Sequence, residues 1–156
     1  MAAEAFARRA ALLGVVHFLV ACLVPTLPPE SVGYHRALVG AHVNSVTLAA
    51  MQMCVGLAAP LMGLSPALLS LLEVLLAVGT TAGGAGYIVG GVTGSMSPLT
   101  KILNAASPPG APYVGTDTAM HVLLAYVAAP AILSALSLAA WGLAQGKGGS
   151  AKRKAA

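Results

Sequence analysis

The sequence predicts an all-α fold: an integral membrane bundle of four helices with both termini on the cytoplasmic side. Three observations carry this. Of the 156 residues, 58% are hydrophobic and only 8% charged, where a soluble domain uses about 25% charged residues; the mean hydropathy is +0.86. The apolar residues fall into four runs, each long enough to cross a hydrocarbon core of about 30 Å at about 1.5 Å per residue. Of the 8 basic residues, Arg8, Arg9, Lys147, Lys152, Arg153 and Lys154 lie in the two terminal regions, and only Arg36 and Lys101 in connections. The positive-inside rule then faces both termini toward the cytoplasm, as an even number of spans requires. Nothing in the sequence names the host membrane.

Residues 1–9 read as a short cytoplasmic segment, and residues 10–143 as the four-span region. The first span covers about 10–27 and is ended by Pro28-Pro29, since proline cannot continue a helix. Its start, "RRAALLGVVHFLVAC", also has the basic head and small-residue cysteine end of a bacterial lipoprotein signal. His17 in the middle of the apolar stretch and the even span count favour a retained helix. The second span covers about 37–62 and the third about 67–92, joined by a tight turn at Ser65-Pro66. Residues 93–117 are polar and contain Pro98, Pro108, Pro109 and Pro112, a long outer loop. The fourth span covers about 118–143, with Trp141 at the membrane interface, and residues 144–156 form a basic disordered tail.

The net charge of +4 does not imply nucleic acid as a partner, because the charges sit in end segments such as "KGGSAKRK", which read as solvated or lipid-headgroup-facing. Cys22 and Cys54 fall at different depths, which argues against a disulfide and suggests small core residues. No Ser-His-Asp arrangement, paired-carboxylate spacing or zinc motif is visible, so no metal is expected. The partner that composition demands is the lipid bilayer.

Polar side chains within spans are costly in hydrocarbon and therefore face the interior. On the second span His42, Ser45, Ala49 and Gln52 form one stripe at helical spacing, with Asn44 and Thr47 beside it. On the third, Glu73, Ala77, Thr80, Gly84, Tyr87 and Gly91 form another. Gly79-x-x-x-Gly83 and Gly86-x-x-x-Gly90 on that span read as a helix-packing face. The Gly-rich run lacks the lysine and the strand-turn-helix context of a phosphate loop. By depth, His42, Tyr87, His121 and Asp117 fall in the outer half, where they could converge within one bundle or across a subunit interface. Glu73 falls in the inner half, paired or snorkelling, and His17 near mid-depth can reach either layer. The candidate catalytic set is His42, His121 and Tyr87 as acid, base or ligating groups, with Asn44 orienting.

The second span and its turn, "RALVGAHVNSVTLAAMQMCVGLAAPLMGLSP", resemble the corresponding helix of hydroxylaminobenzene mutases and, more distantly, of styrene oxide isomerases. The resemblance is carried by Leu38, Gly40, Asn44, Leu48, Gly56, Pro60 and Leu64-Ser65-Pro66. The third-span stretch "VGTTAGGAGYIVGGVTGSMSP" is similar to the mutase pattern that begins Gly-Thr and ends near Gly-Ser-Met-x-Pro. Together they cover about 37–98. The resemblance implies a four-span scaffold and an intramolecular rearrangement of a small apolar aromatic substrate without net redox change. For the isomerase branch it implies haem b held by a His and a Tyr. The family's histidine position falls on Leu38 or Ala37, flanked by His35 and His42; Tyr87 lies within one residue of the tyrosine region. Gly83 and Gly84 stand where the mutases tend to carry an Asn and an aromatic residue.

Two functions follow as expectations. One is a mutase-like or isomerase-like enzyme; the other is a non-catalytic accessory subunit of a larger membrane complex. Either would act as a homo-oligomer or as part of an assembly. A small transporter is a weaker third reading, since neither a broken-helix pair nor a ring of charge is evident.

Overall fold

A computed structural model of the chain describes residues 2–28, 30, 35–93 and 118–153. The expected outer loop 93–117, beyond Thr93 itself, lies outside the described residues, as do Asp117 and Tyr34. The described residues are helical, with no strand. α1 runs Ala2–Leu23, α2 His35–Ala58 and α3 Pro66–Thr93. α4 comprises three consecutive stretches: a turn Thr118–His121, a π-helical turn Val122–Ala128 and the α-helix Ala129–Arg153. Four helices are long and apolar enough to cross a membrane, over Ala2–Thr26, Leu38–Leu61, Pro66–Thr93 and Ala119–Gly146.

Helix ends differ from expectation in three places. α1 begins at Ala2, well before residue 10, because "AAEAFARRAA" is rich in strong helix formers and its Phe6 and Ala10 are buried at 1% and 2% exposure. It ends before Pro28-Pro29 is reached, at a 3-10 turn Val24–Thr26 containing Pro25. There the Thr26 hydroxyl donates to Leu23 O at 2.7 Å. α4 continues to Arg153, so most of the segment expected as a disordered tail is helical in its backbone. The remaining boundaries follow the sequence signals. Pro60 lies in the short 3-10 turn Ala59–Leu61 after α2, and Ser65 caps α3, its Oγ accepting from Leu68 N at 3.4 Å with Pro66 in the first turn.

The π turn has a local cause. Pro130 has no N–H, and its ring would collide with the carbonyl four residues earlier, at Tyr126. Widening the preceding turn relieves this, and the Ala129 N–H reaches back five residues to Leu124 O.

α1, α2 and α3 pack on one another pairwise, whereas α4 packs almost entirely on α3. Close approach depends on missing side chains, and two glycines show it. A Cβ on Gly56 would lie 2.6 Å from Ala10 Cβ, so α1 crosses α2 there. A Cβ on Gly79 would lie 2.7 Å from Ile132 Cγ1 and 3.1 Å from Ile132 N, so α4 lies backbone-close on α3. The expected packing role of the Gly79–Gly90 series therefore holds: all four are buried, Gly79 and Gly86 face α4, and Gly83 lies nearest Leu48 of α2. With no hydrophobic drive between helices in lipid, such steric fit is what associates them.

One end of the molecule gathers the start of α1, the α2–α3 turn and the last turns of α4. Its core contains Phe6, Ala10, Met62, Leu69, Leu72 and Ala139, and Gly63 N donates to Gly142 O at 2.8 Å. The other end gathers Val24, Leu38 and Ala41, with Tyr87 and Ile88 against them. Cys22 and Cys54 are free and exposed, a correction to their expected core placement. A thiol is weakly polar, so a lipid-facing position leaves no strong hydrogen-bonding group unmet.

A charged pair lies within the apolar region, Arg9 with Glu73. Arg9 Nε and Nη2 donate to the two Glu73 oxygens at 2.5 and 2.8 Å, the two-point geometry that a guanidinium and a carboxylate favour. Glu73→Ala is expected to lower the thermal midpoint in detergent by leaving Arg9 without its partner. The exchanged pair Arg9→Glu with Glu73→Arg should recover part of that loss. No recovery would mean that the pair is incidental to packing.

Candidate functional site

Between α1, α2 and α3 lies a cavity of about 210 Å³. His17 and Val20 line it from α1, Ser45 and Leu48 from α2, and Thr80, Thr81, Gly84, Ala85 and Ile88 from α3. Its wall is mostly apolar, with one imidazole and three hydroxyls. Val20 and Thr81 are themselves exposed, so the α1–α3 seam brings the cavity close to the lipid-facing surface.

His17 is held at both ring nitrogens. Nδ1 lies 3.1 Å from Gln52 Oε1, and Nε2 lies 3.2 Å from Thr81 Oγ1. Gln52 is 2% exposed, and its Oε1 also accepts from Thr80 Oγ1 at 3.1 Å. Thr80 is 1% exposed and shares its single proton between that oxygen and Leu76 O at 2.8 Å. With the Gln52 oxygen facing the ring, Nδ1 carries the proton of neutral His17. Nε2 then accepts from the Thr81 hydroxyl, on the side where Thr81 lines the cavity. Gln52 thus sets the tautomer, as an outer partner does for a working histidine.

Ser45 Oγ is the second distinctive group. It is buried, in a residue 4% exposed, and has no hydrogen-bond partner. A buried hydroxyl left unpaired costs about 1–3 kcal/mol. Serines in apolar helices ordinarily avoid this by bonding the carbonyl four residues back, as Ser70 does to Pro66 O at 3.1 Å. Opposite Ser45 stands Gly84, where a Cβ would meet only Ser45 Oγ, at 3.6 Å. The missing side chain at 84 widens the cavity in front of the free hydroxyl.

The residues singled out from the sequence divide differently. Ser45, Ala49 and Gln52 are buried, so the expected interior stripe of α2 is real. His42 is half-buried, and its Nδ1 donates to Ala21 O at 2.8 Å, across the α1–α2 contact. Asn44 Nδ2 donates to Gly40 O of its own helix at 2.9 Å. Tyr87 packs against the Val24–Leu38–Ala41 cluster. His121 meets Tyr126 edge-to-face, with ring centroids 5.3 Å apart. Among the described residues no hydrogen bond or ring contact joins His42, Asn44, Tyr87 and His121 to one another. The histidine that enters a polar network is His17, whose partners lie 35 and 64 residues away. The signal for it was a matching depth: His17 on α1 falls in the same layer as Ser45 and Gln52.

Haem b, implied by the isomerase branch of the resemblance, does not fit these residues. Leu38, at the family's histidine position, is 8% exposed and packs with its backbone about 3.1 Å from where a Gly91 Cβ would stand. Neither Tyr87 nor His42 lines the 210 Å³ cavity, which is also smaller than the roughly 300–1,000 Å³ of larger ligand sites.

The arrangement can hold a compact apolar molecule, offer one hydroxyl to its polar substituent, and give or take a proton at His17. Compared with family models, curated proteins and solved structures, the chain matches none.

Proposed function

We propose that the chain is a four-span integral membrane bundle with both termini cytoplasmic, and that its His17 cavity rearranges a small aromatic molecule without net redox change. This is the activity implied by the resemblance to hydroxylaminobenzene mutases and styrene oxide isomerases, with the chemistry moved to His17. The unpartnered Ser45 hydroxyl inside a small apolar cavity carries the reading. An apolar cavity of about 150 Å³ takes up benzene, so 210 Å³ suits a benzene ring with one short polar substituent. Such a molecule reaches the α1–α3 seam from the lipid, its ring meeting Val20, Leu48 and Ile88 and its heteroatom meeting Ser45 and His17.

An isomerisation returns every atom it takes. Protonated at Nε2, His17 gives that proton to the substrate oxygen as its bond to nitrogen or carbon breaks. From a hydroxylamine the oxygen re-bonds to a ring carbon that loses its hydrogen as a proton. From an epoxide a hydride shifts to the benzylic carbon and the oxygen loses its proton. Either path returns one proton net to the imidazole. An imidazole, which gives a proton in one form and takes it in the other, can do both. The test is product analysis. Protein in nanodiscs is incubated separately with hydroxylaminobenzene and with styrene oxide, and the products are separated and weighed by mass spectrometry. An isomer of unchanged mass, formed above the protein-free rate, is expected from at least one. No isomer from either, together with no calorimetric binding of either, would sink the proposal.

One observation favours a second reading, an accessory subunit or homo-oligomer. α4 packs almost entirely on α3, and its span is 17% buried against 39% for α3. Tyr126, within that span, is 69% exposed, and a phenol seldom faces hydrocarbon without a partner. A larger hetero-complex on native gels of solubilised membranes would support the accessory reading; a homo-oligomer alone would count against it.

A further inference from the structure

Two further cavities lie between the His17 site and the end of the molecule where α1 and α3 begin. The first, about 220 Å³, is lined by Arg9, Leu13, Gln52, Glu73 and Ala77 among others. The second, about 240 Å³, is lined by Ala2, Arg9, Pro66, Ser70 and Glu73 among others. The Arg9–Glu73 pair belongs to both and forms the partition between them. Gln52 forms the next partition: it lines the middle cavity and bonds His17, which lines the innermost one. The walls grow more polar from the His17 cavity outward. Arg9 is well exposed and Glu73 partly so, with side chains at 58% and 27%.

We propose that these cavities form a one-sided water path, bringing protons from the membrane face at Ala2 and Pro66 to the Nδ1 side of His17, with Gln52 as its gate. Ionisable residues inside a span face water-filled space or a proton relay when they do not face one another alone, and Arg9 and Glu73 line two cavities while paired. Each cavity exceeds by far the space one water needs, about 10–15 Å³. Water enters past Glu73 and reaches Gln52. When the Gln52 amide swings from Nδ1, a water takes its place and exchanges a proton with the ring. The apolar molecule arrives by the other side of His17, through the seam at Val20 and Thr81. Among the described residues His17 is the only titratable group lining the inner cavity, and Arg9 and Glu73 are the charged groups on the route. Proton exchange with one compartment keeps His17 equilibrated between turnovers without opening the substrate side to water. The use of the path rests on the functional reading above; its existence does not.

The test uses the full chain in proteoliposomes, with Cys22→Ala and Cys54→Ala as background. A membrane-impermeant methanethiosulfonate reagent is added to one side at a time. Ala2→Cys reports one face and Thr26→Cys the other. Ala77→Cys, in the middle cavity, is expected to react from the face that labels Ala2→Cys and from that face alone. Leu13→Cys, lining the same cavity, serves if Ala77→Cys fails to fold. In the unsubstituted protein the 15N signal of the His17 ring should follow a pH step on the Ala2 side, and Gln52→Leu should slow that response at least tenfold. No labelling from either face, labelling from the Thr26 face, or a His17 signal that follows the opposite compartment would overturn the path. Neither readout uses an aromatic ligand. Labelling as expected without substrate turnover would sink the functional reading alone, and turnover without labelling would sink the path alone.

Discussion

Replacing His17 by alanine is expected to lower isomer formation at least about 100-fold, the usual contribution of one positioned acid–base group. The fold should survive, because the ring is only half-buried and its removal frees one Gln52 lone pair and one Thr81 hydroxyl. His17→Gln sharpens the result. A carboxamide can occupy part of the hydrogen-bonded space but cannot carry the proton, so turnover should fall as far as in the alanine variant. The thermal midpoint should stay nearer the parent's. His42→Ala separates the two histidines. His42 lines none of the three cavities and is tied to Ala21 O at 2.8 Å, so its loss should weaken α1–α2 packing and leave turnover per folded molecule close to the parent. Product chromatography on matched amounts of folded protein reads all three. Full activity in His17→Ala with loss in His42→Ala would return the chemistry to the outer half of α2.

The reason the sequence pointed first to His42 is physical. His42, Ser45 and Gln52 share a stripe on one helix, and periodicity alone ranks them together. Which member meets a partner depends on neighbours far away in the chain. His42 meets a main-chain carbonyl of α1, whereas Gln52 meets His17 and Thr80. α1 is apolar nearly all round, so its face toward α2 could not be read from pattern, and His17 kept two layers open to it. The interior face of α2 was legible because polar groups in a span have few other places to go. Glycine spacing on α3 likewise showed a close approach, but not that Gly79 would meet α4 while Gly84 would open a cavity. The early start of α1 was hidden by Arg8 and Arg9. Charge argued for water there, and the two-point bond to Glu73 keeps Arg9 on the helix.

A large expected effect on stability lies at Gly56. In a helix interior Gly→Ala ordinarily stabilises by about 1 kcal/mol through backbone entropy. Gly40, where a Cβ would meet nothing within 4 Å, should show that gain. At Gly56 the added methyl would stand 2.6 Å from Ala10 Cβ, and alanine has no rotamer by which to move aside. Only a shift of α1 against α2 can relieve the contact, and overpacking of this kind costs about 1–3 kcal/mol. Because Ala10 also belongs to the core with Phe6, Leu72 and Leu76, the shift would loosen the end of the molecule where Arg9 meets Glu73. Gly56→Ala is therefore expected to lower the unfolding midpoint in mixed detergent micelles while Gly40→Ala raises it, and Gly56→Val should fall further still. Ala10→Gly placed on the Gly56→Ala background removes the opposing methyl and should recover most of the loss. Equal responses at Gly40 and Gly56 would mean that α1 and α2 lie farther apart in the membrane, and would remove the support for a cavity held between them.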